Sequence, residues 1–207
     1  MVLIPCTKVK SKRDMNKKIN LQIGFLTLII LVAAFSRMMP HPYNFSPLAA
    51  IGLFGAAHFE KKWLAVLIPL MATWLSDVFI NNIIYAQYFD GFTLFYSGFA
   101  WQYSAYILIA IFGVAIYSKK VNIINVLGGA LGASLIFFLL SNFGVFISNP
   151  IYTKDLTGLI ACYTAALPFA QGTLMGNLVY SSVLFGAYYV LQQNVSFFKL
   201  RHLNYSK

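Results

Sequence analysis

The sequence predicts an all-α membrane bundle of six transmembrane helices with both termini in the cytoplasm, and three observations carry that expectation. The 207-residue chain is 59% hydrophobic and only 10% charged, which leaves too little polar surface to keep a soluble domain of this size in solution. Its apolar residues come in continuous runs and not in the alternating in/out pattern of a β-barrel. Its Lys and Arg residues cluster between those runs, where they act as topology signals. The net charge of +10 therefore does not point to nucleic acid.

The first run, residues 19–36, follows a basic stretch carrying Lys8, Lys10, Lys12, Arg13, Lys17 and Lys18. This resembles a signal peptide, but the run exceeds a typical h-region and reads as a retained helix. Met15 is as natural a start as Met1. The second run, residues 47–59, is short: at about 1.5 Å per residue it covers about 20 Å of a roughly 30 Å hydrocarbon layer. Short or Pro-interrupted spans often border a binding site. Residues 63–80, 101–117, 123–146 and 168–191 supply the other four. The chain thus divides into a basic cytoplasmic tail (1–18), a six-helix domain (19–192) and a second cytoplasmic tail (193–207).

With the N-terminus inside, thirteen of the fifteen Lys and Arg residues fall in the cytoplasm, leaving only Arg37 and Lys154 outside. That asymmetry sets the orientation. Trp63 and Tyr117 then sit near the inner interface and Trp101 near the outer. The longer loops, 37–46, 81–100 and 148–167, are all outside. Within the last, residues 156–167 are apolar and read as a short helix lying over the outer mouth.

The first outer loop holds Arg37, His41, Asn44 and Ser46 among three prolines, so it is stiff and poor in backbone donors. Ser46 before Pro47 reads as an N-cap with a first-turn proline. An ordinary capped connection and a ligand-covering loop both fit. Asp77 is the only acidic residue within a span, where an ionised carboxylate costs about 2.5–3.5 kcal/mol on insertion scales. Trp74, Asp77 and Asn81 share one helical face. A structural ion pair with Arg37 and a ligand site are the two roles open to Asp77. Asn142 and Ser141 lie near the outer end of the fifth span. Thr173, Asn177 and Tyr180 share a face of the sixth, and Tyr103 and Tyr106 on the fourth could wall a pocket. Each polar residue alone fits interhelical hydrogen bonding; their common outer depth favours a pocket. Gly52, Gly55 and Ala56, then Gly128, Gly129 and Gly132, and the pair Gly172 and Gly176 read as helix-packing positions.

Catalytic motifs are absent: no zinc-binding His-Glu-x-x-His, no nucleophile elbow, no phosphate-binding glycine loop. His41, His58 and His202 fall in three separate places, too scattered for one metal site. Cys6 and Cys162 fall on opposite sides of the membrane, so no disulfide is expected. The chain is thus expected not to be an enzyme and to need no cofactor. Without a nucleotide motif, active uptake needs an ion gradient or a partner.

The stretch from Ser36 to Ala56, with Arg37-Met38-Met39-Pro40-His41-Pro42 and Ser46-Pro47 at its heart, resembles a family of small uncharacterised bacterial membrane proteins described as transport proteins. Ser76-Asp77, Cys162-Tyr163 and Leu167-Pro168-Phe169 share the resemblance, which covers most of the chain after Met15. That family is similar in size, six-helix layout and outer polar loops to the S components of energy-coupling factor transporters. The resemblance implies a bacterial inner-membrane subunit that binds a vitamin or related micronutrient beneath its first outer loop. An energising transmembrane subunit with ATPases would then be its partner. It makes Arg37, His41, Asn44, Trp74, Asp77, Asn81, Asn142 and Asn177 the substrate-binding candidates. The Ala-xxx-Ala pattern by which many S components dock their partner is not evident, since Ala33 and Ala34 are adjacent. A non-catalytic structural or assembly subunit is the alternative, and a membrane-embedded enzyme the weakest third.

Overall fold

The computed structural model describes residues 12–194. Among them it contains six α-helices and no strand: α1 (Lys12–Phe35), α2 (Leu48–His58), α3 (Lys62–Phe79), α4 (Phe99–Ile116), α5 (Ile123–Ser148) and α6 (Leu156–Asn194). Successive helices run antiparallel, joined by longer links after α1 and α3 and shorter ones after α2 and α4. The loops after α1, α3 and α5 therefore gather at one end of the bundle, the Arg37 end, and Lys62 marks the other.

Five of the helices are long and apolar enough to cross a membrane, and α2 is not. The perimeter explains the composition. Leu28, Leu67, Ile111, Leu135 and Val183 are all exposed on it, a surface matched to lipid and not to water. In lipid the exterior is as apolar as the interior, so helices associate through close van der Waals packing and not through the hydrophobic effect.

Packing converges on α2. All eleven of its residues are buried, and it touches each of the other five helices, as expected of a helix that is apolar all round. Its small residues allow this. A Cβ on Gly55 would lie 2.9 Å from the Pro69 ring of α3, and one on Gly113 of α4 would lie 2.7 Å from Ala56. The α4–α5 contact uses the same device in reverse, because the rings of Trp101, Phe112 and Tyr117 lie over Gly144, Gly132 and Gly129.

Three expectations change. First, α1 begins at Lys12, inside the stretch assigned to a tail; Lys, Arg, Met and Gln favour helix, so charge marks the edge of the apolar layer and not the end of the helix. Second, α2 starts at Leu48, one residue beyond a Pro47 first turn, and the Ser46 hydroxyl accepts only a long bond of 3.4 Å from the Leu48 N–H. Third, residues 156–167 are not a separate helix. They are the first three turns of α6, which runs through Pro168 for 39 residues, about 58 Å. Their lateral bonds to α5 hold them in line: Tyr163 donates to the Leu139 carbonyl at 2.6 Å, and the Cys162 thiol faces the Asn142 carbonyl at 3.5 Å. Cys162 is a buried free thiol. Cys6, His202 and the remainder of both expected tails lie outside the described residues.

The link from α5 to α6 is closed at both sides. The Lys154 ammonium donates to the carbonyls of Phe146 and Asn149, where a cation complements the C-terminal end of α5. Asp155 caps α6, accepting from the Gly158 N–H at 2.8 Å and from the Thr153 hydroxyl at 2.8 Å. The Gly158 bond, with the Thr153 bond second, holds its carboxyl below the ordinary value of 3.8. A lowered folded-state value means a stabilisation fully present above pH 3.8 and lost as the pH falls through the folded value. Asp155→Ala should therefore speed amide hydrogen exchange in the first turn of α6 at neutral pH. Acidification below pH 3.8 should lower the protection factor of those amides, the rate corrected for the intrinsic pH dependence of exchange, in the wild type and leave it unchanged in the variant.

Candidate functional site

The site is built where α2 falls short. Between the Arg37 end of the bundle and the first turn of α2 lies a cavity of about 310 Å³. It is lined by Arg37, by residues 41–44 and Ser46 of the first loop, and by Leu48 and Ala49 of α2. Tyr85, Gln102 and Tyr106, Phe137, and Thr173 with Asn177 complete it.

Arg37 sits in a 3₁₀ turn (Ser36–Met38) that directly continues α1. Its Nη1 pairs with Asp77 Oδ1 and reaches the Ser76 hydroxyl at 3.4 Å. The second oxygen of Asp77 accepts from the Tyr103 hydroxyl at 2.7 Å. Asp77 is thus buried with both oxygens engaged, behind the cavity wall and not on it. The Tyr103 ring stacks on Phe99 at 3.9 Å and meets Tyr106 edge-on at 5.9 Å, and Tyr106 stacks on Phe137 at 5.5 Å. An aromatic row therefore connects the ion pair to the cavity surface.

The loop from 39 to 47 folds on its own bonds. His41 Nε2 lies 3.1 Å from the Arg37 carbonyl, and Nδ1 lies 2.8 Å from that of Pro42. A turn closed by Phe45 N–H to the Pro42 carbonyl at 3.1 Å puts Asn44 at φ 59°, a left-handed conformation that Asn tolerates better than most residues. The loop then crosses α6 backbone to backbone. A Cβ on Gly172 would overlap the Tyr43 carbonyl oxygen, and one on Gly176 would come within 2.7 Å of the Ser46 nitrogen. The Gly172 and Gly176 pair, expected to serve helix packing, is the seat of this loop. A second cavity of about 270 Å³ lies on the other side of it, between α5 and α6, and shares Asn44, Phe137 and Thr173 with the first.

Of the eight sequence candidates, Arg37, His41, Asn44 and Asn177 line the first cavity, and Asn142 and Asn44 line the second. Asn142 also returns its amide to the Phe138 carbonyl at 2.8 Å. Asn177 is buried and donates to the Ser134 hydroxyl at 2.8 Å. Trp74, Asp77 and Asn81 line neither cavity; the indole N–H of Trp74 and the amide nitrogen of Asn81 are buried without a hydrogen-bond partner. Asn81 lies in a π-helical turn (Ile80–Ile84) that widens the end of α3.

Three contributors escaped the sequence reading. Ser134 is a mid-span hydroxyl in a run of Gly and Ala. Gln102 stands in the first turn of α4 and accepts from the Tyr96 hydroxyl at 2.9 Å. Burial, with the charge of Asp77 second, holds the Tyr96 phenol well above its ordinary value, so it remains a donor. Asn82 clasps the second long loop, accepting from the Thr93 N–H at 2.6 Å and donating to the Thr93 carbonyl at 2.8 Å. Its only sequence signal was adjacency to Asn81.

The sequence profile of a family of unknown function (DUF6580) matches residues 17–200, and the chain belongs to that family. No curated protein and no solved structure matches it.

Asp77→Ala should destabilise the fold by about 2–3 kcal/mol, because it leaves the Arg37 guanidinium without its partner while that side chain stays one-fifth exposed. The double variant Arg37→Gln with Asp77→Asn should cost less than the sum of its single changes, measured by thermal unfolding in detergent as a double-mutant cycle. Gly172→Val should lift the loop, seen as faster hydrogen exchange confined to residues 43–46.

Proposed function

We propose that this member of the DUF6580 family is a substrate-binding membrane subunit that takes a small micronutrient from the outer face, in the manner of S components of energy-coupling factor transporters. The observation that carries this is the cavity above α2. It is concave, it sits at the end of the bundle where the loops are long, and it mixes aromatic walls with a few convergent polar groups, as small-molecule sites do. The charge distribution supports placing the Arg37 end outside a bacterial inner membrane and both termini in the cytoplasm.

In this arrangement each element has a task. The first loop covers the ligand, and Arg37, Gln102, Thr173 and Asn177 orient it. Tyr106 and Phe137 offer ring faces. The Arg37–Asp77–Tyr103 group fixes the guanidinium so that its free N–H groups stay aimed. An energising membrane partner with ATPases would supply the work of release, since the chain carries no nucleotide-binding motif.

The test is mass spectrometry of small molecules extracted from the protein purified in mild detergent. A single compound near one per chain is expected, and it should be absent from Thr173→Phe, which fills the space at the junction of the two cavities. Helical circular dichroism and unfolding temperature should be alike in both. A chain that retains no compound, shifts its unfolding temperature with none of a vitamin panel, and co-purifies with another membrane protein would instead be a structural subunit.

A further inference from the structure

Resting on that reading, we infer that the ligand is an organic acid, its carboxylate held by Arg37 above the first turn of α2. The cavity lining contains no Asp or Glu. The carboxylate that pairs with Arg37, that of Asp77, lies off the lining with its two oxygens taken by Arg37 and Tyr103. A cationic ligand would meet a guanidinium and no counter-charge.

Arg37, Gln102 and the start of α2 offer donors to the cavity. Arg37 spends only Nη1 on Asp77 and Ser76; a guanidinium has five N–H groups in a fixed fork suited to a carboxylate. Gln102 accepts from Tyr96 through its carbonyl oxygen, which leaves its amide NH₂ for the cavity. Leu48 and Ala49 add the N-terminal end of α2, whose dipole favours an anion, although the Leu48 N–H already reaches the Ser46 hydroxyl. Asn177 is the exception: its NH₂ is bound to Ser134, so it presents a carbonyl at the deep side, suited to a ring N–H or hydroxyl. With Tyr106 and Phe137 alongside, the lining fits a planar ring bearing one carboxylate. Because Asp77 balances part of the Arg37 charge, the preference should be about tenfold and not thousands.

A lipid phosphate offers the same oxyanion chemistry, so the test separates the two sources. The probes are indole-3-acetate against indole-3-acetamide and nicotinate against nicotinamide, pairs that differ little except in charge. Binding is measured by equilibrium dialysis of the full chain in nanodiscs of phosphatidylcholine alone and of phosphatidylcholine with phosphatidylglycerol. At least one acid should bind about tenfold more tightly than its amide in both lipids. Arg37→Lys, which keeps the charge and loses the fork, should give a ratio between that of the wild type and that of the double variant. Arg37→Gln with Asp77→Asn, which leaves no unpaired charge, should bring it within about twofold.

Equal affinity of acid and amide, or an acid preference that survives in the double variant, overturns the inference while leaving small-molecule binding intact. So does a co-purified compound that is neutral or cationic. Phosphatidylglycerol that displaces the acid and itself depends on Arg37 assigns the site to lipid and overturns it too. If no probe binds and no compound co-purifies, the transport reading falls with it; a co-purified carboxylic acid supports both even where no probe binds.

Discussion

The structure depends on one mismatch of length. α2 has eleven residues, about 16 Å of helix, in a bundle whose other helices are long enough to cross a membrane. Every side of α2 is covered by protein, so its shortfall is not corrected by lipid; it becomes interior space at one end. The proline-rich loop fills part of that space and the cavity is what remains. Irregular backbone at such depth is tolerated where it lines a cavity or is buried in protein, and residues 39–47 meet that condition by lying on α6.

The Arg37–Asp77 pair is the second fixed point. α1 ends there and α3 widens into its π-helical turn one turn later, so the pair ties the first and third helices together at the level where the bundle opens. Tyr103 brings α4 into the same contact. A buried ion pair contributes little net stability once desolvation is counted, but it holds three elements in one register. The same register decides which face of the guanidinium meets the cavity.

Most of the helical framework was legible in the sequence because it is written in apolar runs, charge clusters and prolines, which are local. The extent of α1 and α6 was not, because charge and Pro168 mark the edges of apolar layers more faithfully than the ends of helices. The site was partly legible. Arg37, His41 and Asn44 stood out by their place in a stiff loop, and Asn177 by its polarity within a span. Asp77 stood out too, yet the feature that made it conspicuous, a charge in lipid, is also what required Arg37 and Tyr103 to enclose it. Gln102 and Ser134 were invisible because their roles arise only from partners 6 and 43 residues away. Gly172 and Gly176 were misassigned because spacing reports closeness of backbones and not whose backbone approaches.

That last contact separates two properties that proteins often couple. Where the first loop meets α6 at Gly172 and Gly176, main chain touches main chain, so the position of the loop is set by backbone shape and the absence of side chains. The residues that face the cavities, such as Thr173, Asn177 and Phe137, stand beside this seat and not in it. A substitution at any of them would therefore reshape the cavities while leaving the placement of the loop unchanged.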